Sequence, residues 1–391
     1  MFKGIFPKIF RQEEKNARTY NVFRYFSSLA MSIFSILMSL YLFEVGYAVN
    51  LVLLYLAIKY FVSAALAIPL TKFGSKYGFR HILVFSIIAF CLMSIVLCNL
   101  DMRFDMLVYL GILSGVFHST YWCPTDFFIL KIFQKKSASS VAGITKIIIE
   151  FASLPVVLIG GIILEKFNIV ALVIITLIIY LLSVIPMLKI KEGKYKPQDV
   201  DIRVPFQKLT KVHHLGFILL GLATTAADII WKLHLYNDIS SDYEFIGIIN
   251  IILGIAGIGF IYVVSKLLDK PKYDYLKISA TFLAITWFIK LNIFSVSGIL
   301  AITIIEGFIL RMFVLTFEKG YISIGRRFNY EGFISYYYTL TGFFRGLFLT
   351  LGALTGNTSL ILLISVLLVA CLPFIKFKEE IDYEYVFDNE I

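Results

Sequence analysis

The sequence predicts an all-α membrane protein in which about twelve transmembrane helices form two six-helix bundles. Three observations lead to this fold class. The chain is 59% hydrophobic and 16% charged, which is far from the composition of a soluble globular domain. Its apolar residues are gathered into stretches of about twenty, the length that a helix needs to cross a hydrocarbon core. The lysines and arginines that lie between these stretches are almost entirely in alternate connections.

The apolar stretches predict spans at 21–43, 48–70, 81–100, 105–130, 139–164, 168–188, 213–236, 243–265, 277–294, 296–318, 331–352 and 357–375. The interiors of the third, sixth and twelfth spans carry no aspartate, glutamate, lysine, arginine or histidine. The ninth carries only Lys290, near its outer end. Because a charge in contact with lipid is costly, the charged spans should line an aqueous interior and these four should face lipid.

The basic connections predict the orientation and the domain organisation. Because lysine and arginine mark the cytoplasmic side, both termini should be cytoplasmic, in the plasma (inner) membrane. The positive net charge therefore indicates topology and contact with lipid headgroups, and no nucleic-acid partner is expected. The predicted segments are an interfacial tail (1–20), an N-terminal bundle (21–188), a cytoplasmic central loop (189–212), a C-terminal bundle (213–376) and an acidic cytoplasmic tail (377–391).

The fourth span carries His118, Trp122 and Asp126 at helical spacing, and Gly111 and Gly115 precede them at the same spacing. An aromatic ring and titratable groups on one face indicate a cavity wall. The glycines could instead serve close packing of helices. Because histidine ordinarily titrates near neutral pH, His118 would suit a proton relay. The alternative is a structural role in which its imidazole is hydrogen-bonded.

Two other spans carry oppositely charged residues four positions apart. Lys146 and Glu150 form such a pair in the fifth span, and Asp228 and Lys232 form one in the seventh, where Trp231 should share their face. These pairs could simply lower the cost of insertion. A pair that is only structural could be replaced by apolar residues at little loss, so both pairs are candidate binding or proton-carrying groups.

Further candidates are Lys59 in the second span, Glu306 and Arg311 in the tenth, and Tyr338 and Arg345 in the eleventh. Glu306 and Arg311 are five residues apart and point in different directions, so each needs a partner on another helix. Arg345 lies too deep to reach an interface and should point inward. It could clamp an anionic group of a substrate, or it could neutralise an acidic neighbour such as Glu306 or Glu150.

The connection between spans two and three contains a short polar motif, and the equivalent connection of the second half contains another fragment of it. The residues are Ser75, Lys76, Gly78 and Arg80 in the first and Asp269 and Lys270 in the second. With these fragments, two six-span halves and a cytoplasmic central loop, the chain resembles the major facilitator superfamily over nearly its full length. The arginine that marks the family's proton antiporters in span four is absent, so the resemblance does not imply drug–proton antiport.

The resemblance implies a secondary active transporter that moves a small polar, charged or zwitterionic solute by alternating access, with the proton as candidate coupling ion. A multidrug or amphiphile and lipid exporter of the same fold is the first alternative. A polytopic membrane transferase or a non-transporting receptor is the alternative of another class. We expect a carrier and not an enzyme, with no cofactor or metal and no ATP site. Its partners should be the solute and membrane lipids, and it should be a monomer.

Overall fold

The computed structural model describes residues 15–134, 136–154, 159–160, 163, 166–190, 200–239, 243–268, 274–293 and 295–374. All regular structure in these ranges is helical, which confirms the all-α prediction. The first six helices are α1 (Lys15–Val45), α2 (Val49–Tyr77), α3 (Phe79–Cys98), α4 (Phe104–Ile132), α5 (Ala138–Ser153) and α6 (Ile169–Leu188). A short helix, Arg203–Lys208, precedes the second six.

The helix α7 has a composite form. It begins as Lys211–Thr225, continues through two π-helical segments at Ala226–Ile230 and Leu235–Ile239, and has one α-turn, Trp231–His234, between them. The remaining helices are α8 (Tyr243–Leu267), α9 (Tyr275–Lys290), α10 (Val296–Gly325), α11 (Tyr330–Thr355) and α12 (Thr358–Cys371), and α12 ends in a 3₁₀ turn, Leu372–Phe374.

Glycine and polar side chains set several helix ends. Gly78 lies between α2 and α3 with φ of 104°, a conformation that side-chain-bearing residues rarely adopt. Gly356 ends α11 in the left-handed region. Asn168 and Asn357 begin α6 and α12 by accepting backbone N–H bonds in the first turn. These local signals make the connections short, so neighbouring helices are antiparallel.

The described helices have the length and apolar surface of membrane spans. Seven of them are long and apolar enough to cross a bilayer. The helices α3, α6, α9 and α12, which match the four spans predicted to face lipid, place large apolar side chains such as Leu92, Leu182, Phe288 and Leu367 on the outside. The protein is therefore a multi-pass membrane protein.

The packing of helices repeats between the two halves of the chain. In the first half, the neighbouring pairs are α2–α4, α3–α4, α1–α5, α1–α6 and α3–α6. The second half has α8–α10, α9–α10, α7–α11, α7–α12 and α9–α12, which are the same pairs with six added to each helix number. The halves meet through α2–α11, α5–α8, α4–α11 and α5–α10. This repeated arrangement is that of two equivalent six-helix bundles.

The two ends of the molecule are distinguished by their connections. The basic end carries the α2–α3, α4–α5 and α10–α11 connections and the short helix Arg203–Lys208. The opposite end carries the α1–α2, α3–α4, α9–α10 and α11–α12 connections. At the basic end, Arg326 donates to the carbonyl oxygens of Lys136 (2.8 Å) and Phe133 (2.7 Å), so it joins the α10–α11 connection to the other half.

Candidate functional site

The side chain of Tyr60 on α2 is the centre of a group contributed by both halves. The Lys59 ammonium and the Arg345 guanidinium each lie 5.3 Å from the centroid of its ring. The imidazole of His118 packs edge-on against the same ring at 5.4 Å, and its Nδ1 is 2.9 Å from the Ser63 hydroxyl. We call Lys59, Tyr60, His118 and Arg345 the Tyr60 group.

The Arg345 side chain is fixed in place by α7. Its Nε donates to the carbonyl oxygen of Gly221 at 3.0 Å, and its Nη2 donates to the Thr224 hydroxyl at 2.9 Å. Neither Glu306 nor Glu150 contacts it, because both carboxylates are paired with other cations. The hypothesis that Arg345 neutralises one of these acids is therefore wrong. Because Nε and Nη2 of the guanidinium both donate to α7, only Nη1 is left without a protein hydrogen bond in the described ranges.

Asp126 on α4 joins the two halves through tyrosine hydroxyls. Its Oδ2 accepts hydrogen bonds from Tyr321 of α10 at 2.8 Å and from Tyr338 of α11 at 2.7 Å. Tyr338 also packs against the His118 ring at 6.4 Å, and His118 lies 6.3 Å from Trp122. The polar end of the predicted stripe on α4 therefore faces the second half of the chain.

The two glycines of that stripe have a different role. A Cβ on Gly111 would lie 3.2 Å from the Tyr55 carbonyl oxygen, and one on Gly115 would lie 2.6 Å from that of Lys59. Both glycines therefore let α4 pack directly on the backbone of α2, which is the packing alternative and not the cavity-wall interpretation. At Gly115 this contact leaves no room for a Cβ without moving the helices apart, and at Gly111 a Cβ would fit only with a small shift of its neighbours.

Glu150 on α5 forms the second polar link between the halves. Its Oε2 accepts a hydrogen bond from Arg311 Nη2 of α10 at 2.6 Å, and its Oε1 is 3.7 Å from the Lys146 ammonium. Both Glu150 and Arg311 are more than 90% buried. The predicted pair Lys146–Glu150 is thus part of a triad, and its strongest contact is with a residue 161 positions away.

The seventh span differs from the sequence expectation. Asp228 is exposed and forms no ion pair with Lys232, although it acts electrostatically on that ammonium. Trp231 is buried and points into the second bundle, and the Thr224 hydroxyl binds Arg345. Contrary to the sequence prediction, Trp231 therefore does not share a face with Asp228 and Lys232. The physical reason is the π-helical segment Ala226–Ile230, because its wider turn rotates the following residues out of α-helical phase.

A separate polar cluster lies inside the second bundle. Glu306 of α10 binds the Lys290 ammonium and accepts a hydrogen bond from Trp287 Nε1 at 2.8 Å. The Lys290 ammonium also lies 3.8 Å from the Trp231 ring centroid. Glu306 and Lys290 are almost fully buried. This cluster is contained within one half of the molecule, so it does not belong to the interface where the Tyr60 group and Glu150 lie.

Two charged residues at the interface were not identified from the sequence. Arg24 of α1 is buried, donates to the Tyr121 hydroxyl at 2.7 Å and lies over the Trp122 ring at 5.2 Å. Glu318 of α10 acts electrostatically on Arg24, Lys146 and Asp126. Both fall inside a predicted span, 21–43 for Arg24 and 296–318 for Glu318, close to its end. The helices extend beyond these spans, from Lys15 and to Gly325, so neither residue lies at a helix end. Considering every charged residue inside the predicted spans would have found both.

The connection between α2 and α3 shows how its polar motif is used. Ser75 is buried and its hydroxyl has no hydrogen-bond partner among the described residues. Gly78 provides the turn, and the Lys76 ammonium lies over the Tyr77 ring at 5.0 Å. Arg80 lies at the start of α3. The remaining two predicted positions, Asp269 and Lys270, lie outside the described residues.

Comparison with known proteins identifies the family of this architecture. The family model described as the Major Facilitator Superfamily matches residues 24–322. The E. coli fucose:proton symporter FucP has a similar structure, with a TM-score of 0.65 at 12% identity over 91% of this chain and 96% of that chain. The human organic anion transporter MFSD10 (TETRAN) aligns with a TM-score of 0.66 at 9% identity over 93% of this chain and 100% of that chain. No curated protein matches this sequence. These similarities confirm the prediction of two six-helix bundles.

Proposed function

Because the chain belongs to the major facilitator superfamily, we propose that it is a secondary active transporter that moves a small polar solute across the membrane by alternating access. One observation carries this proposal. Charged and polar side chains of both halves meet inside the membrane, as Glu150 with Arg311 and Asp126 with Tyr338. Apolar residues could hold two bundles together at lower cost, so polar groups at this depth indicate a path for a polar solute.

The named activities of the structural neighbours agree with this proposal. FucP is a fucose:proton symporter and MFSD10 is an organic anion transporter, so two proteins of this fold carry small solutes. In the present chain, the Tyr60 group contains residues of α2, α4 and α11 and therefore draws on both halves. A solute bound there would contact both bundles, and its binding would change when the bundles rock relative to each other.

We also propose that Glu150 couples transport to protons. When α5 and α10 separate, its carboxylate loses the 2.6 Å contact with Arg311 and keeps only the 3.7 Å contact with Lys146, so uptake of a proton becomes more favourable. Asp228, which is exposed on α7, is the second candidate. The Glu150→Gln variant should lose solute accumulation driven by a pH gradient while retaining solute exchange. Asp228→Asn tests the second candidate, and unchanged accumulation in both variants would exclude these residues as essential proton carriers.

For the orientation, we propose that the basic end faces the cytoplasm of a plasma or inner membrane. A reporter protein fused after Ile391 or inserted within residues 190–210 should then be cytoplasmic. A reporter inserted beside Gly356, in the α11–α12 connection, is the matched control and should be on the other side. A periplasmic or extracellular readout at either of the first two positions would overturn the orientation.

Transport itself is tested with purified protein in proteoliposomes. We expect saturable counterflow of at least one solute from a labelled panel of sugars, amino acids and carboxylates, with protein-free liposomes as the control. Movement of ethidium or of a labelled phospholipid alone would instead support the multidrug or lipid exporter. Turnover of a lipid substrate without counterflow would support the membrane transferase.

A further inference from the structure

We propose that the solute is a small organic anion and that Lys59 and Arg345 form the subsite that receives its negative group. This inference rests on the proposed transport function and adds the charge of the solute. It follows from three features of the Tyr60 group: the absence of a protein counterion for its cations, the hydrogen-bond donors that remain free, and the origin of the two cations in different halves.

The first feature concerns charge. Within the described part of the chain, neither Lys59 nor Arg345 forms an ion pair, and the charged groups that act on His118 are these same two cations. Two carboxylates of the interface, Glu150 and Asp126, have other partners. Glu150 binds Arg311 and Lys146, and Asp126 accepts from two tyrosines.

Two cations without a counterion at this depth in a membrane are unfavourable. An anionic group on the solute would supply the missing negative charge. A neutral sugar would leave the imbalance in place, and a cation would increase it. The charge distribution therefore favours one class of solute over the other two.

The second feature concerns donors. Arg345 is held through Nε and Nη2, so its guanidinium is already oriented before a solute arrives, and Nη1 has no protein acceptor among the described residues. The Lys59 ammonium and the Tyr60 hydroxyl make no hydrogen bond to the described protein either. Three hydrogen-bond donors are therefore free at this ring. Because both cationic heads lie 5.3 Å from its centroid, both would attract a negative group bound beside the ring.

The third feature links binding to movement. Lys59 is on α2 of the first half and Arg345 is on α11 of the second, and these two helices make the most extensive contact between the halves. An anion held between them would attract both helices, whereas the empty pair of cations repels itself. The bound anion would therefore stabilise the approach of α2 to α11, which is the kind of differential interaction that a carrier needs to couple binding to a change of state.

The experiment measures ligand-dependent thermal stabilisation of the purified protein at constant ionic strength. The anionic probes are lactate, malate and citrate as carboxylates and glycerol phosphate as a phosphate ester. Lactamide and glycerol are their neutral counterparts, and choline is the cation. We expect stabilisation by carboxylates or by the phosphate ester, which distinguishes the two anionic groups, and none by the neutral probes or choline.

The variants connect this effect to the subsite. Lys59→Gln should weaken the affinity for the stabilising anion by about tenfold or more, the effect of losing one hydrogen bond to a charged group. The control is Lys189→Gln, which makes the same charge change at an exposed position on the basic end. Arg345→Gln should also lose affinity. Because it breaks two bonds to α7 and could lower stability by itself, Lys59→Gln carries the decision.

The inference is overturned if no anionic probe stabilises the protein, if a neutral probe or choline does so equally, or if Lys59→Gln retains the affinity of Lys189→Gln. Counterflow in proteoliposomes then separates this inference from the proposed function. Transport of neutral solutes with no effect of Lys59→Gln would leave a transporter without an anion site. Anion binding that depends on Lys59, without counterflow of the same anion, would leave an anion site without transport.

Discussion

At the scale of single residues, Glu306 and Glu150 show that a buried glutamate paired with a cation has a different role inside one bundle and between the two bundles. Glu306 pairs with Lys290 of the adjacent helix, inside one bundle, and this contact can persist whatever the bundles do. Glu150 pairs with Arg311 across the two bundles, so movement of the bundles must break it. The first is a contact that stabilises a bundle, and the second is a contact whose energy depends on the conformation of the whole carrier.

A double-mutant cycle on Glu150 and Arg311 tests the strength of this contact. Each single change, Glu150→Gln or Arg311→Gln, leaves a buried charge without its partner and should lower the stability of the described state by about 3–5 kcal/mol. The double variant should lose clearly less than the sum of the two. The measurement is the melting temperature in detergent, with Lys189→Gln as a control for charge removal at the surface. Additive losses would show that the two side chains do not interact.

The partners of such residues could not be derived from the sequence. Helical spacing correctly indicates that Glu306 and Arg311 point in different directions and need partners elsewhere, but it does not identify Lys290 or Glu150. Glu150 and Arg311 are 161 positions apart, and only the packing of helices brings them together. Arg24 was missed because it lies near the start of the predicted span 21–43, where a long side chain could reach the membrane surface, whereas α1 begins at Lys15 and contains it well inside the helix.

At the scale of helices, glycine determines how closely neighbouring elements approach. Gly115 lets α4 contact the α2 backbone next to Lys59 and Tyr60, so it affects the position of the Tyr60 group. Gly342 of α11 does the same across the halves, since a Cβ there would lie 3.1 Å from the Ala64 Cβ and 3.2 Å from the Tyr60 carbonyl oxygen. Gly320 has open space around it, although it is also helical.

These differences predict different effects of the same substitution. In Gly115→Ala, the new Cβ would lie 2.6 Å from the Lys59 carbonyl oxygen, so α2 and α4 must separate, at a cost of about 1–3 kcal/mol. Gly320→Ala meets nothing within 4 Å and should leave the melting temperature unchanged or raise it slightly, because alanine is the better helix former. Thermal melting of both variants gives the comparison. Equal melting temperatures would contradict the close packing of α2 and α4.

The seventh helix shows where the prediction of elements stops. Hydropathy locates its apolar stretch, because twenty apolar residues produce a strong signal whatever their exact winding. The direction of each side chain depends on the number of residues in a turn, and the sequence contains no feature from which we derived a π-helical turn at Ala226–Ile230. That turn directs Trp231 towards Lys290 and leaves Asp228 exposed.

Removal of one residue from this turn tests its role. Deleting Ala227 should convert the π-turn into an α-turn, and Trp231 should keep its direction towards α9 and α12, because a π-turn accommodates about one residue more than an α-turn. The Trp231 ring would then stay over the Lys290 ammonium, so we expect the deletion to lose much less stability than Trp231→Ala, which should lose about 3–5 kcal/mol. The melting temperatures of the deletion and of Trp231→Ala provide the test. A loss in the deletion variant as large as that of Trp231→Ala would show that the π-turn does not act as a one-residue insertion.

At the scale of the whole molecule, contacts between the halves differ at the two ends. At the basic end they are hydrogen bonds, which include Thr71 with Ser335 and Arg326 with the carbonyl oxygens of the α4–α5 connection. At the opposite end, the Phe43 ring stacks on the Tyr236 ring with centroids 5.4 Å apart. Under the proposed alternating access, the two bundles would rock about the Tyr60 group, because each end has its own separable set of contacts.

Cross-linking the basic end tests this movement. The Thr71 and Ser335 hydroxyls are in direct contact, so the double variant Thr71→Cys, Ser335→Cys, in a background without the four native cysteines, should form a disulfide on oxidation. A carrier that must separate α2 from α11 at this end should then lose solute counterflow and regain it on reduction. It should keep solute binding, because the Tyr60 group does not depend on opening of the basic end. The two single-cysteine variants control for the substitutions themselves. Full counterflow with complete cross-linking would mean that the halves do not separate here, and alternating access by rocking of the two bundles would have to be abandoned.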